Sequence, residues 1–175
     1  GVTWRPRSNL RLTWQGALSG NRFDPEGGVE SETEDVENSF DVAWDPTRRT
    51  SLALHRTQRD TRSVVGPFET ESSLDLWSGL ARYAFNANLH TLLEVSHGEE
   101  DYSLATTVTD RLFLRTWARI YPGLEATLDF GEQRQEIGEL GFEVESPIAG
   151  ASLRAYLTPA LQLTAYASVR ENRFS

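Results

Sequence analysis

Three sets of residues in this chain have the side-chain types and the spacing to do chemistry. The first is a run of carboxylates, Asp24, Glu26, Glu30, Glu32, Glu34, Asp35 and Glu37, with no basic residue among them. Such a run can gather divalent cations beside an anionic surface, or repel anions at a pore mouth. It lacks the Asp-x-Asp-x-Asp-Gly spacing of an EF-hand loop, so a solvated acidic loop is the plainer reading. The second set is His97, Glu99, Glu100 and Asp101, an imidazole and carboxylates of the kind that activate water. No Ser-nucleophile motif, metal-ligand spacing or Gly-rich phosphate loop accompanies it. No catalytic residue, metal or cofactor is expected, and the chain is not expected to be an enzyme. The third set is Arg115, Arg119, Glu125, Asp129, Arg154 and Arg170, which sit in mid-run where side chains alternate. On one wall they form a cross-strand ladder of opposite charges. That ladder can set a transverse field for a passing solute, or it can satisfy polar side chains and stiffen the wall. Alternating signs cancel the selectivity of a single-sign ring, which favours the structural role.

The elements that must hold this ladder are strands. Leu124, Ala126, Leu128 and Phe130 alternate with Glu125, Thr127, Asp129 and Gly131. Leu161, Leu163, Ala165, Ala167 and Val169 oppose Gln162, Thr164, Tyr166, Ser168 and Arg170 in the same way. Period-two alternation of this kind predicts strands with one greasy face and one wet face. The pattern places them at residues 10–18, 39–45, 50–58, 73–85, 88–97, 111–121, 123–133, 149–157 and 161–171. Tight turns are expected at 5–9, 46–49, 86–87, 122–123 and 158–160, where Pro, Gly or Asn supplies the turn chemistry. Long polar connections are expected at 19–38, 59–72, 98–110 and 134–148.

Aromatic residues gather just before the tight turns: Trp4, Trp44, Tyr83, Phe85, Tyr121 and Tyr156. After each turn a Leu opens the next run, at Leu10, Leu52, Leu89, Leu124 and Leu161. The turns recur about every forty residues, a period that propeller blades share. A blade fits four short strands into that length, whereas each period here holds two strands of about ten residues and a polar connection. A soluble sheet also alternates, with its apolar face packed inward. Aromatics collected at one end of strand after strand instead suit an interfacial girdle. The expected fold is all-β: an antiparallel, up-and-down transmembrane β-barrel with its greasy side chains outward and the charged ladder lining the lumen.

Composition permits this. The chain has 175 residues, 38 % of them hydrophobic, and its mean hydropathy is negative. A spanning helix needs roughly 18 or more apolar residues, but a barrel strand needs only about 9–11 with every second one apolar. The formal net charge of −9 argues against a nucleic-acid partner. All basic residues are Arg, which reflects a GC-rich source and also suits bidentate pairing with carboxylates. Cys is absent, which is compatible with an oxidising compartment. Met is absent too, and Gly1-Val2-Thr3-Trp4 reads as the end of a strand, so the chain is expected to start after a processing or truncation point. Asn172-Arg173-Phe174 echoes Asn21-Arg22-Phe23, and nine strands is an odd count for a bacterial barrel. Together these predict a single barrel domain, 1–175, or a fragment of a larger one.

The repeated element Trp/Tyr…Pro…Leu-x-Leu, as in Trp44-Asp45-Pro46…Leu52-Ala53-Leu54 and Tyr121-Pro122-Gly123-Leu124, resembles bacterial outer-membrane β-barrels over nearly the whole chain. It is most similar to porin-like barrels, among them those found with exopolysaccharide export loci. The resemblance implies a place in the bacterial outer membrane, contact with membrane lipid and lipopolysaccharide, and a porin-like conduit with an Arg- and acid-lined lumen. Two competing readings stand beside it: a structural or assembly barrel that sheaths a partner protein in its lumen or periplasmic end, and a rim hydrolase.

Overall fold

Neighbouring runs pair through their backbones into one continuous antiparallel sheet. A computed structural model describes residues 1–23, 30–102, 105–138, 141–158 and 161–174, with the side chain of Leu157 left out. The strands are β1 (Val2–Arg7), β2 (Leu10–Phe23), β3 (Ser31–Thr47), β4 (Thr50–Val65), β5 (Phe68–Asn86), β6 (Leu89–Tyr102), β7 (Ala105–Tyr121), β8 (Leu124–Ile137), β9 (Phe142–Thr158), β10 (Leu161–Arg170) and β11 (Arg173–Phe174). Sheet order follows chain order from β1 to β10, every pair antiparallel, and β11 pairs with β9. β11 continues β10 in register: Ile148 stands opposite Arg170, and Glu145 opposite Arg173. The ladder breaks between them beside Pro147, which has no N–H to donate. Its carbonyl still accepts from Glu171 N–H at 3.3 Å, and Ser146 Oγ donates to Asn172 Oδ1 at 2.8 Å.

At the tight-turn end, each hairpin shifts register beside its turn, between Trp4 and Arg7, Trp44 and Thr47, Ala84 and Asn86, Arg119 and Tyr121, and Leu161 and Gln162. Pro6 and Pro46 fall inside the first two of these irregular stretches, where a residue without an N–H breaks no ladder bond. Gly123 adopts φ +86° in its turn. A Cβ there would stand 3.0 Å from the Tyr156 carbonyl oxygen, so only glycine fits without strain.

The opposite end corrects the sequence reading. Residues expected as long connections, at 59–72, 98–110, 134–148 and much of 19–38, are for most of their length strand. β4 runs on to Val65 and β5 begins at Phe68, joined across Gly66 and Pro67 with Gly66 at φ +59°. β3 begins at Ser31 rather than at 39. The physical reason is that both faces of these extensions are polar. Period-two contrast in hydropathy vanishes there, while the backbone ladder continues regardless of side chains. Val2–Arg7, whose first residues already read as the end of a strand, pairs with β2, and with the nine runs above this gives ten strands following one another in the sheet, within the nine to ten expected.

No second layer covers either face. Among the described residues only Phe113, Gly98 and Ser146 are buried. The accessible surface is 12502 Å², against about 8,600 Å² for a compact soluble monomer of this mass. Leu128 and Leu163 are each about half exposed, and Ala165 is exposed. The greasy face packs on nothing in this chain.

Candidate functional site: the concave wall

Curvature separates the two faces. Along β8 from Leu128 onward, Leu128, Phe130, Glu132, Arg134 and Glu136 are exposed, whereas Asp129, Gly131, Gln133, Gln135 and Ile137 between them are half-buried. β6 repeats the pattern, with Leu93, Val95 and His97 exposed, and Leu92, Glu94 and Ser96 half-buried. The first set stands on the convex side and the second on the concave side. Register carries this assignment across the sheet.

Near the tight turns the convex face is an apolar belt. Leu12, Val42, Leu54, Gly79, Val95 and Leu112 follow one another across β2 to β7 with no charge among them. On β8 the residue opposite Leu112 is Glu132, and the apolar side chains of β8, β9 and β10 lie nearer the tight turns on the same face, at Leu128, Ala151 and Ala167. Above the belt the same face turns ionic. Arg56 grips Asp75 through Nε at 3.0 Å and Nη2 at 2.7 Å, with its guanidinium 4.6 Å from the Trp77 ring centre. Arg62 pairs with Glu69 at 2.5 Å, Arg134 with Glu143 at 2.6 Å, His97 with Asp110 at 2.7 Å, and Arg22 with Glu30.

The concave face holds the charged ladder and most of the polar side chains, with Leu74, Leu76, Leu80, Leu92 and Ile148 among them. Arg115 Nε donates to Asp129 Oδ1 at 2.7 Å, and Arg119 pairs with Glu125 at 3.5 Å. Both carboxylates are only 17 % exposed while both guanidiniums are about half exposed, so the acids lie against the wall and the cations stand off it. Arg111 lies 3.8 Å from Glu94. At the far side of the sheet His55 Nδ1 meets Asp41 Oδ1 at 2.6 Å, and Thr57 Oγ1 lies 2.7 Å from His55 Nε2.

Aromatics on this wall lie flat because glycines leave room. A Cβ on Gly131 would stand 2.7 Å from Phe113 Cδ2, so the Phe113 ring covers the glycine directly opposite it. The Tyr166 hydroxyl sits 3.7 Å from where a Gly150 Cβ would be, showing that this ring leans across β9. Arg111 and Arg115 flank Phe113 at 5.2 and 5.3 Å from its centre, and Arg119 lies 5.6 Å from the Trp117 ring. Each is a cation–π contact, and together they order the long Arg side chains.

Of the residues singled out from sequence, Arg115, Arg119, Glu125, Asp129, Arg154 and Arg170 all fall on the concave register face. Trp4, Trp44 and Tyr83 fall on the convex face near the tight turns. Tyr83 and Phe85 pack edge to face at 4.8 Å. Tyr121 lies past the register shift after Arg119. Tyr156, opposite Gln162, alternates onto the face of Arg154 rather than onto the belt. The acidic run is not an open loop over its described part: Glu30 meets Arg22, and Asp35 accepts from Thr61 Oγ1 at 2.6 Å and pairs with Arg59 at 3.2 Å. Asp24 and Glu26 lie outside the described residues. The His97 group is split by the pleat, since His97, Glu99 and Asp101 take the convex face while Glu100 takes the other beside Tyr102. Among the described residues no three His, Asp or Glu side chains converge as a metal site. Sequence reading missed Phe113 and Trp117, although Arg111-x-Phe113-x-Arg115-x-Trp117-x-Arg119 has the required period of two.

Comparison with known proteins is consistent with this geometry at the level of fold. No family model matches the chain, and no curated protein matches it in sequence. Among solved structures it is similar to OmpT, an outer membrane protein of Vibrio cholerae in its trimer form. The TM-score is 0.66 at 6 % identity, over 89 % of this chain and 54 % of that one. A loop L8 deletion mutant of OmpT gives a TM-score of 0.65 at 4 % identity, over 95 % of this chain and 72 % of that one. The chain thus spans about half the length of the first of these proteins. Its fold is that of a bacterial outer-membrane β-barrel, with β1 and β10 as sheet edges.

Proposed function

We propose that this chain forms wall of a water-filled, porin-like conduit in the bacterial outer membrane. One observation supports the reading above others: polarity inverts between an apolar convex belt and a concave wall carrying Arg115–Asp129 and Arg119–Glu125. In a lipid bilayer that arrangement puts hydrocarbon against Leu and Ala, and water against the charges. Membrane lipid and lipopolysaccharide contact the convex side. A spanning sheet cannot leave strand edges in lipid, so in the membrane the edges of β1 and β10 must both be paired. Solute passage needs no catalytic group or cofactor. The test is single-channel recording on the full-length barrel in planar bilayers. A steady open current is expected, and Arg115→Ala should shift ion preference toward cations. Persistent silence of the folded barrel would overturn the conduit.

A further inference from the structure

The concave wall is organised in rows, and one of them differs from its neighbours. His90, Trp117, Thr127, Ser152 and Tyr166 stand side by side across β6 to β10. The row contains aromatic rings and hydroxyls and no acid or Arg. His90 and Trp117 touch ring to ring at 5.3 Å, tilted by 40°. From Trp117 to Tyr166 is three strand spacings, about 14 Å. The rows on either side are charged. Toward the long hairpins lie Arg82, Leu92, Arg115 and Asp129, and toward the tight turns lie Arg119, Glu125 and Arg154. Asp129 and Glu125 answer Arg115 and Arg119. Among the described residues neither Arg82 nor Arg154 forms an ion pair, although Arg154 stands opposite Glu125 in register. A cleft of about 350 Å³ lies where these rows meet, lined by Arg82, His90, Leu92, Arg115 and Trp117.

We propose that this row is a binding subsite for an acidic oligosaccharide, a short chain of sugar rings bearing carboxylates. Flat aromatic faces take the apolar C–H faces of sugar rings; Tyr166 stands at one end of the row, and Trp117, flanked by His90 and Arg119, stands second from the other. Thr127 and Ser152 between them are donor–acceptor hydroxyls that match sugar hydroxyls. Arg82 and Arg154 are fork-shaped donors that bind carboxylate in two-point fashion. A simple inorganic anion would use the Arg residues and leave the aromatic row unused. A neutral sugar would use the row and leave two guanidiniums unanswered. Only a solute carrying both features engages the whole surface.

The subsite rests on the reading of the concave face as a lumen, but it is testable without ion flow. Calorimetry on the full-length barrel in detergent would titrate trigalacturonate, neutral galactotriose and inorganic sulfate. Trigalacturonate is expected to bind at least tenfold more tightly than either of the others. Arg82→Gln and Trp117→Ala should each weaken it by roughly tenfold, the scale of one lost charge-assisted contact. Arg82→Lys and Trp117→Phe should recover part of the loss, which separates contact from misfolding. Equal binding of galactotriose, equal binding of sulfate, no binding of trigalacturonate, or indifference to both truncations would each overturn the subsite. A barrel that is silent in bilayers yet binds trigalacturonate would remove the conduit and leave the subsite standing, and the reverse result would do the opposite.

Discussion

The half of the sheet near the tight turns and the half near the long hairpins share the same strands and one backbone ladder, yet obey different rules. Near the tight turns the two faces have opposite polarity: Leu128 looks outward while Asp129 looks into the concavity. Near the long hairpins both faces are wet, as with Arg134 outside and Gln135 inside. On the proposed reading the lower half is shaped by two solvents, hydrocarbon and water, and the upper half by water alone. The comparison teaches that strand and membrane segment are different things here, since each strand outruns the belt it contributes to.

The strongest way to break this contrast is to charge the belt. Leu128→Arg, on the outward face near mid-belt, should destabilise the barrel by about 2–4 kcal/mol in lipid vesicles. Gln58→Arg, on the same outward face in the upper half of β4, should stay within about 0.5 kcal/mol. Equilibrium urea unfolding in vesicles measures both, and equal effects would erase the distinction between halves. A second test concerns packing. Gly131→Val drives a Cβ into the Phe113 ring at 2.7 Å and the Leu112 carbonyl at 2.8 Å, and should cost about 1–3 kcal/mol by the same measurement. Gly20→Val in the upper part of β2 meets only the Thr33 carbonyl at 3.8 Å and should be nearly neutral.

Ion pairs sharpen the comparison at smaller scale. A double-mutant cycle on Arg115 and Asp129 should give a coupling of about 0.5–1 kcal/mol, because the acid is largely covered and the guanidinium is braced by Phe113. The same cycle on Arg134 and Glu143, on the outer face above the belt, should give less than about 0.5 kcal/mol. The smallest effect is one of pH. Asp35, in the upper part of β3 beyond the belt, is held below the ordinary aspartate range by the Thr61 hydroxyl and then by Arg59. A depressed carboxylate stabilises the folded form above the unfolded-state range and loses that contribution as pH falls through its lowered value. Protection factors of the β3–β4 amides, which correct for the slower intrinsic exchange in acid, should therefore fall on acidification, and Asp35→Asn should flatten the response.

Where the two halves differ is also where the sequence was legible and where it was not. The belt strands could be read because Leu124, Ala126 and Leu128 against Glu125, Thr127 and Asp129 carry a contrast that only a two-faced sheet needs. The extensions could not, because Glu34, Asp35 and Glu37 show no such contrast and were expected as loop, yet pair with β4 through their backbones. The charged ladder was visible as Arg115, Arg119, Glu125 and Asp129. The flat aromatics between were not, since Phe113 acquires its position from Gly131 on another strand.

The order of residues alone therefore determined an up-and-down all-β chain, the place of its tight turns, and which side chains share a face, because the two-residue pleat is a local rule. It could not determine how far the strands extend past the belt, or that His90, Trp117, Thr127, Ser152 and Tyr166 form a row. Those depend on register between strands, and register is settled only when turns, bulges and opposing side chains are satisfied together.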